Sequence, residues 1–156
     1  MTAKKQAKAP HIRNKKALHH YVILEKLECG LCLQGTEVKS VREGQASLDE
    51  AFARMRGSDL WLLGAHIAPY VHGNVANHDP LRPRKLLLHR HEITKLSAKV
   101  AQQGLTLVPL DLYFNDRGLA KVTLALVKGK THGDKRQSMK ARDDRREMER
   151  AMSRRR

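Results

Sequence analysis

Short runs rich in apolar and β-branched residues, broken by turn residues, make up most of the chain up to Val127, and one stretch instead follows a helical period. Tyr21–Leu27 (YVILEKL) has the β-branched and aromatic content of a strand. Gly30 interrupts it, and Leu31–Val41 continues as extended chain with Gly35 at a bend or bulge. Ser47-Leu48-Asp49-Glu50 has capping-box spacing, which predicts the start of a short helix. Phe52–Arg56 and Leu60–Leu63 flank Gly57-Ser58 and read as a hairpin, although Leu48, Phe52 and Met55 would also suit a longer helix. Residues 66–85 are loop-like, with Pro69, Gly73, Pro80 and Pro83, before Leu86–Leu88 resume extended structure. Ile93, Leu96 and Val100 share one helical face, so the spacing predicts a helix over Arg90–Gln103 with Gly104 at its C′ position. Leu105–Phe114 is a long strand in which Pro109 requires a bulge or an edge. Asn115–Gly118 turns it into Leu119–Val127, with Val122, Leu124 and Leu126 on one face and Lys121, Thr123 and Ala125 on the other. The pattern predicts a mainly β fold with helices: an OB-like antiparallel β-barrel with one long helix and one or two short ones.

Composition adds a partner class. The chain of 156 residues carries a net charge of +15, which points to a polyanion, nucleic acid before an anionic membrane surface. The charge is unevenly placed. Residues 1–20 hold six Lys and Arg and no acid, residues 128–156 hold twelve against five, and the 107 residues between hold thirteen against eleven. The division expected is a basic arm over 1–17, an RNA-binding barrel over 18–130 and a basic tail over 131–156. An arm without an apolar stripe is expected to be disordered until it meets its anion. No segment approaches the roughly 18 apolar residues of a membrane helix, so no membrane role is expected. The basic start has no apolar segment behind it, unlike a secretory signal, and Cys29 and Cys32 are the only cysteines. A cytoplasmic location is expected.

Enzyme chemistry finds little support. Cys29-Gly30-Leu31-Cys32 is a CxxC in strand-like sequence, where the two thiols point to opposite faces, and it reads as two buried thiols. His91-Glu92 is not an HExxH, because Lys95 occupies the second ligand position. GxSxG, Walker A and paired carboxylates are missing, so no catalytic residue, cofactor or metal is expected. Arg82-Pro83-Arg84-Lys85-Leu86-Leu87-Leu88-His89 is more informative. If the leucines are extended, Leu86 and Leu88 share a face and Leu87 takes the other. Leu87 is then either buried with its neighbours or exposed among cations, where it can pack on an unstacked base.

Thr36–Ser40 (TEVKS), Asn77–Ile93 (NHDPLRPRKLLLHRHEI), Gly104–Phe114 (GLTLVPLDLYF) and Lys128–Arg136 (KGKTHGDKR) resemble small protein B, the SsrA-binding family of bacterial trans-translation. The likeness runs from about Asn14 to Arg150, in the family's order. It implies an OB-like barrel with a tail that is unstructured in solution. It implies binding to the tRNA-like domain of transfer-messenger RNA (tmRNA, SsrA RNA), and entry with it into the vacant A site of a stalled ribosome. The protein then stands in for an anticodon arm and catalyses nothing. The partners implied are this RNA, the small-subunit decoding centre and messenger channel, and elongation factor Tu (EF-Tu) indirectly through alanyl-tmRNA, with the chain a monomer.

Residue by residue, the resemblance assigns Glu28, Leu87 and Lys121 to tmRNA recognition and puts His89 and His19 near the same RNA surface, and Arg82, Arg84 and Lys85, the cations before the leucines, are expected to bind the same RNA. A carboxylate suits the task because it accepts from guanine N–H groups or a ribose 2′-OH. The matching ribosome-facing tail residues are Lys128, Lys130, His132, Asp134, Lys135 and Arg136. Where the family commonly has His or an aromatic residue directly before the acid, this chain has Gly133, with His132 one earlier. The flexible glycine permits the stacking role to shift to His132. The tail has no Gly or Pro from Asp134 to Met152, Asp134 and Gln137 have capping-box spacing, and Lys140–Asp144 and Arg145–Glu149 are i, i+4 pairs. A helix about 28 Å long, formed only on the ribosome, is therefore expected. The alternative is a structural ribosomal protein or general RNA chaperone, which would not need Glu28 beside Leu87.

Overall fold

Strands with one apolar face bury it most completely by closing into a ring. The strands are β1 (Ile12–Arg13), β2 (Tyr21–Leu31), β3 (Ala46–Ser47), β4 (Phe52–Arg56), β5 (Asp59–Leu63), β6 (His66–Ile67), β7 (Arg84–Leu87), β8 (Thr106–Phe114) and β9 (Ala120–Gly129). The helices are α1 (Ala17–His20), α2 (Gly35–Arg42), α3 (Arg90–Gln103) and α4 (His132–Arg154). This is a computed structural model that describes residues 10–73, 77–130 and 132–154.

The main sheet is antiparallel in the order β1-β8-β4-β5-β7-β2-β9, and a further β8–β9 pairing closes it into an OB-like barrel with β1 outside the ring. The seam between β4 and β8 is held by one residue pair, Ala53 with Leu107, so the closure is loose. Inside lie Leu60, Leu62, Leu86, Leu107, Leu112, Val122, Leu124 and Leu126, all buried, joined by Val41 of α2 and Leu96 of α3. Each such side chain contributes about 1.5–3 kcal/mol relative to exposure. The outer face of β8 and β9 is apolar at one end. Val108, Leu110, Ala125 and Val127 are buried there with Ala17 of α1, so Ala125 lies outside the barrel yet is covered.

The hairpin β4–β5, helix α3 with Gly104 in the left-handed conformation, and the turn at Asn115 stand as the pattern predicts. The bulge falls between Pro109 and Asp111, which is how β8 accommodates its proline. Other expectations are corrected. Gly30 does not interrupt its strand, because β2 runs on to Leu31 and pairs there with β7. Residues 35–42 form α2 rather than extended chain. Gln34 and Glu37 make a capping box, and Glu37, Ser40 and Val41 are buried on one helical face. That packing overrides the β-branched content. Ser47 caps no helix. It pairs with His66 in the β3–β6 ladder, and only four residues separate it from β4.

The boundary at residue 17 also moves. Ile12 and Arg13 pair with β8, and Asn14 is buried. Its side-chain amide donates to Pro109 O at 2.9 Å, and its Oδ1 accepts from Ala17 N–H at 3.1 Å. The chain from Ile12 to Asn14 is therefore docked on the outside of the ring, hydrogen-bonded to β8. Residues 1–9 lie outside the described residues. Asn14→Ala is expected to lower stability by roughly 1–3 kcal/mol, since it removes two buried hydrogen bonds, to Pro109 O and from Ala17 N–H. Thermal or urea unfolding of the full chain measures this, and an unchanged midpoint would contradict the docking.

Within the tail, His132–Arg154 form helix α4, 23 residues long. From Met139 onward its side chains are exposed, so local propensity and pairs such as Arg145–Glu149 (3.6 Å) support it rather than packing.

Candidate nucleic-acid interface

Strand register lines up one transverse row on the outer barrel face. Gly30 of β2 pairs with Leu87 of β7 on one side and with Lys121 of β9 on the other. Lys121 in turn pairs with Tyr113 of β8, and the Tyr113 ring lies 5.3 Å from that of His11. Glu28, two residues before Gly30, points to the same face. Its carboxylate accepts a hydrogen bond from the Tyr113 phenol, and Lys121 Nζ stands 4.0 Å from its other oxygen.

Leu87 is 49% exposed, which decides the open question about the three leucines: Leu86 is buried and Leu87 faces solvent. A Cβ on Gly30 would stand 3.1 Å from Leu87 Cβ. The glycine thus lets Leu87 lean across β2 toward Lys121 and Glu28. An apolar pad, a carboxylate and an ammonium group adjoin on one open face, a combination that can take a splayed base and its edge or sugar donors.

The other assigned cations divide by strand parity. Lys85 shares the outward side of β7 with Leu87 and lies 3.5 Å from Asp59. Arg84, on the inward side with Leu86, is fully buried and cannot reach RNA. It donates to Ala65 O at 2.8 Å and Pro80 O at 3.2 Å, and its Nε lies 3.3 Å from Glu37 Oε1. That Nε makes no aligned hydrogen bond, so its contact with Glu37 is an ion pair. Arg82 forks onto the same buried carboxylate at 2.7 and 3.0 Å. Arg84 is therefore structural, and its assignment to the RNA surface is corrected, whereas Arg82 is partly exposed while it holds Glu37. Glu37 lies within the Thr36–Ser40 motif, and its capping-box spacing from Gln34 is the sequence signal for its place in α2. Burial pushes its carboxyl up, but the two guanidinium groups and the Gln34 N–H outweigh burial and hold it below the ordinary range. Burial lowers Arg84, while the hydrogen bond to Glu37 raises Arg82, which still reaches solvent.

His89 is exposed and precedes α3, with its ring stacked on His91 at 5.6 Å. His19 lies on α1 at the base of α4. Desolvation first, then His20, Lys135, Arg142 and Lys130, hold it below the usual imidazole value. Lys128 is exposed at the end of β9, whereas Lys130 donates to Leu18 O at 2.6 Å. Lys135 is half-buried and Arg136 exposed. The side chains of His132 and Asp134 lie outside the described residues. The tail set therefore sits one barrel end away from the Glu28 row, joined to it through β9.

Cys29 is buried with its thiol against Val122 O at 3.4 Å, and burial pushes it up to about 12, so it does not supply a thiolate at neutral pH. Cys32 is exposed, contrary to the expectation of two buried thiols, because it follows the strand's alternation to the outer face. Among the described residues no His, Cys, Asp and Glu cluster could hold a metal, and no helix is long and apolar enough to cross a membrane.

Comparison with known proteins identifies relatives along nearly the whole chain. The family model described as SmpB protein matches residues 11–154. A protein named SsrA-binding protein from Thermosynechococcus vestitus is 56% identical over 143 residues, covering 91% of this chain and 93% of its own. Its counterpart from Moorella thermoacetica is 54% identical over 139 residues, 89% of this chain and 90% of its own. That from Syntrophobacter fumaroxidans is 51% identical over 160 residues, spanning 100% and 99%. A chain of the solved structure described as "tmRNA-SmpB: a journey to the center of the bacterial ribosome" is 50% identical, with a TM-score of 0.67 over 84% of this chain and 95% of that one. Sequence, fold and curated relatives coincide across nearly the whole length, and the chain belongs to the SmpB protein family.

Proposed function

We propose that this chain binds tmRNA at its tRNA-like domain and carries it to stalled ribosomes for trans-translation, which rescues the ribosome and tags the nascent chain for degradation. The observation that carries the reading is the outer-face group of Glu28, Lys121 and exposed Leu87. A protein that binds RNA by charge alone would not place a carboxylate at the centre of its face. The barrel reads RNA shape, 2′-OH groups and splayed bases, and the basic segments neutralise phosphates. The protein acts by binding in the cytoplasm, as a stand-in for an anticodon arm, and meets EF-Tu only through the charged RNA.

Binding of full-length protein to a transcript of the tRNA-like domain tests this. Lys121→Ala removes a cation and is expected to lower the salt dependence of log K by about one unit. Glu28→Ala removes none and is expected to weaken cognate binding by roughly 1–3 kcal/mol while sparing an unrelated hairpin RNA. Equal losses on both RNAs for Glu28→Ala would mean that the carboxylate makes no specific contact.

A further inference from the structure

The Glu28 carboxylate is held in place before any RNA arrives. A glutamate on an open strand face samples several rotamers, and freezing one on binding costs entropy. Here the Tyr113 phenol reaches over β9 and donates to Oε2. Lys121 Nζ, 4.0 Å from Oε1, is too distant for a hydrogen bond. Among the described residues Oε1 accepts no hydrogen bond, so its lone pairs face an incoming donor.

The phenol is itself held. Tyr113 pairs with Lys121 across β8–β9, and the His11 ring lies 5.3 Å from its ring at 55°. His11 Nε2 lies 3.3 Å from Asp111, which sets that imidazole beside the tyrosine. A line of contacts thus runs from His11, just before β1, through Tyr113 to Glu28.

We propose that Tyr113 is a positioning residue for RNA recognition, its phenol holding Glu28 with Oε1 presented outward to a base-edge or ribose donor. This rests on the reading that the outer barrel face binds the tRNA-like domain. The phenol is raised above its ordinary pKa, by the hydrogen bond to Glu28 first and then by burial and that carboxylate's charge, as suits a donor that keeps its proton.

A double-mutant cycle on the full chain tests the role, using the tRNA-like-domain transcript and an unrelated hairpin RNA as probes. Tyr113→Phe keeps the ring and its packing, and is expected to weaken cognate binding about 3- to 10-fold, the worth of one hydrogen bond, without affecting the hairpin. In a Glu28→Ala background the same change is expected to cost nothing. Alkaline titration of the tyrosines reads the contact directly, because Glu28→Gln should return one phenol toward its ordinary value. A large Glu28 effect with an additive Tyr113 effect would overturn the positioning role alone. A neutral Glu28→Ala, with no preference for the tRNA-like domain in the unaltered protein, would overturn the RNA reading and this role with it.

Discussion

Glu37→Gln is expected to destabilise the fold by about 3–5 kcal/mol, a large fraction of the stability of a domain this size. Glu37 and Arg84 are both fully buried, and Arg82 closes the cluster from the surface. Neutralising the carboxylate leaves the Arg84 guanidinium in the interior facing neutral oxygens, among them the carbonyls of Ala65 and Pro80, with its countercharge gone. Arg82 can turn toward water, but Arg84 cannot. Replacing both buried partners, Glu37→Met with Arg84→Met, is therefore expected to recover most of the loss, because no uncompensated charge remains. Urea unfolding of the three proteins decides it, and a double variant as weak as the single one would sink the account. The pH dependence has a defined sign. Glu37 has a folded pKa below its unfolded value, so its contribution is fully present above the ordinary glutamate range and is lost as pH falls through the folded value. Glu37→Gln should flatten that acid limb of the stability profile.

Deleting residues 134–156 is expected to abolish tagging on stalled ribosomes while leaving affinity for the isolated tRNA-like domain nearly unchanged. The Glu28 row lies on the barrel, and among the described residues its pairings and hydrogen bonds come from β2, β7, β8 and β9. Helix α4 is 23 residues long, about 34 Å at 1.5 Å per residue, and its exposed Arg142, Arg145, Arg146 and Arg150 suit a groove walled by phosphates. A messenger channel offers that groove only when it is empty, which would let the helix report a stall. Ala141→Pro tests shape apart from charge. It breaks the helix interior at a cost of about 3 kcal/mol and removes no cation, so it should lose tagging as the truncation does. Tagging that survives both changes would reduce the tail to a solubility arm.

Several elements were legible because neighbours in sequence specify them. The 3.6-residue period of Ile93, Leu96 and Val100 with Gly104 defines α3, and Gly57-Ser58 defines the β4–β5 hairpin. The parity of β9 places Lys121 outside and Val122 inside. Each rests on local geometry that a short window contains. The same parity, applied to Arg84-Lys85-Leu86-Leu87, separates one buried cation from one exposed, although a run of basic residues reads at first as a single patch.

Residues far apart in the chain settled the rest. Leu87 is exposed because β7 pairs with β2 at Gly30, and Arg84 is structural because α2 brings Glu37 beneath it. Tyr113 serves Glu28 only because β9 lies between their strands. By itself the amino-acid sequence determined a basic, mainly β, RNA-binding chain with a helix-prone tail, since composition, period and charge are properties of short stretches. Only the tertiary structure decided which cation is buried, which leucine is free and which phenol orients the carboxylate. Those choices depend on what packs against each residue from across the barrel, and burial, unlike propensity, is not a local quantity.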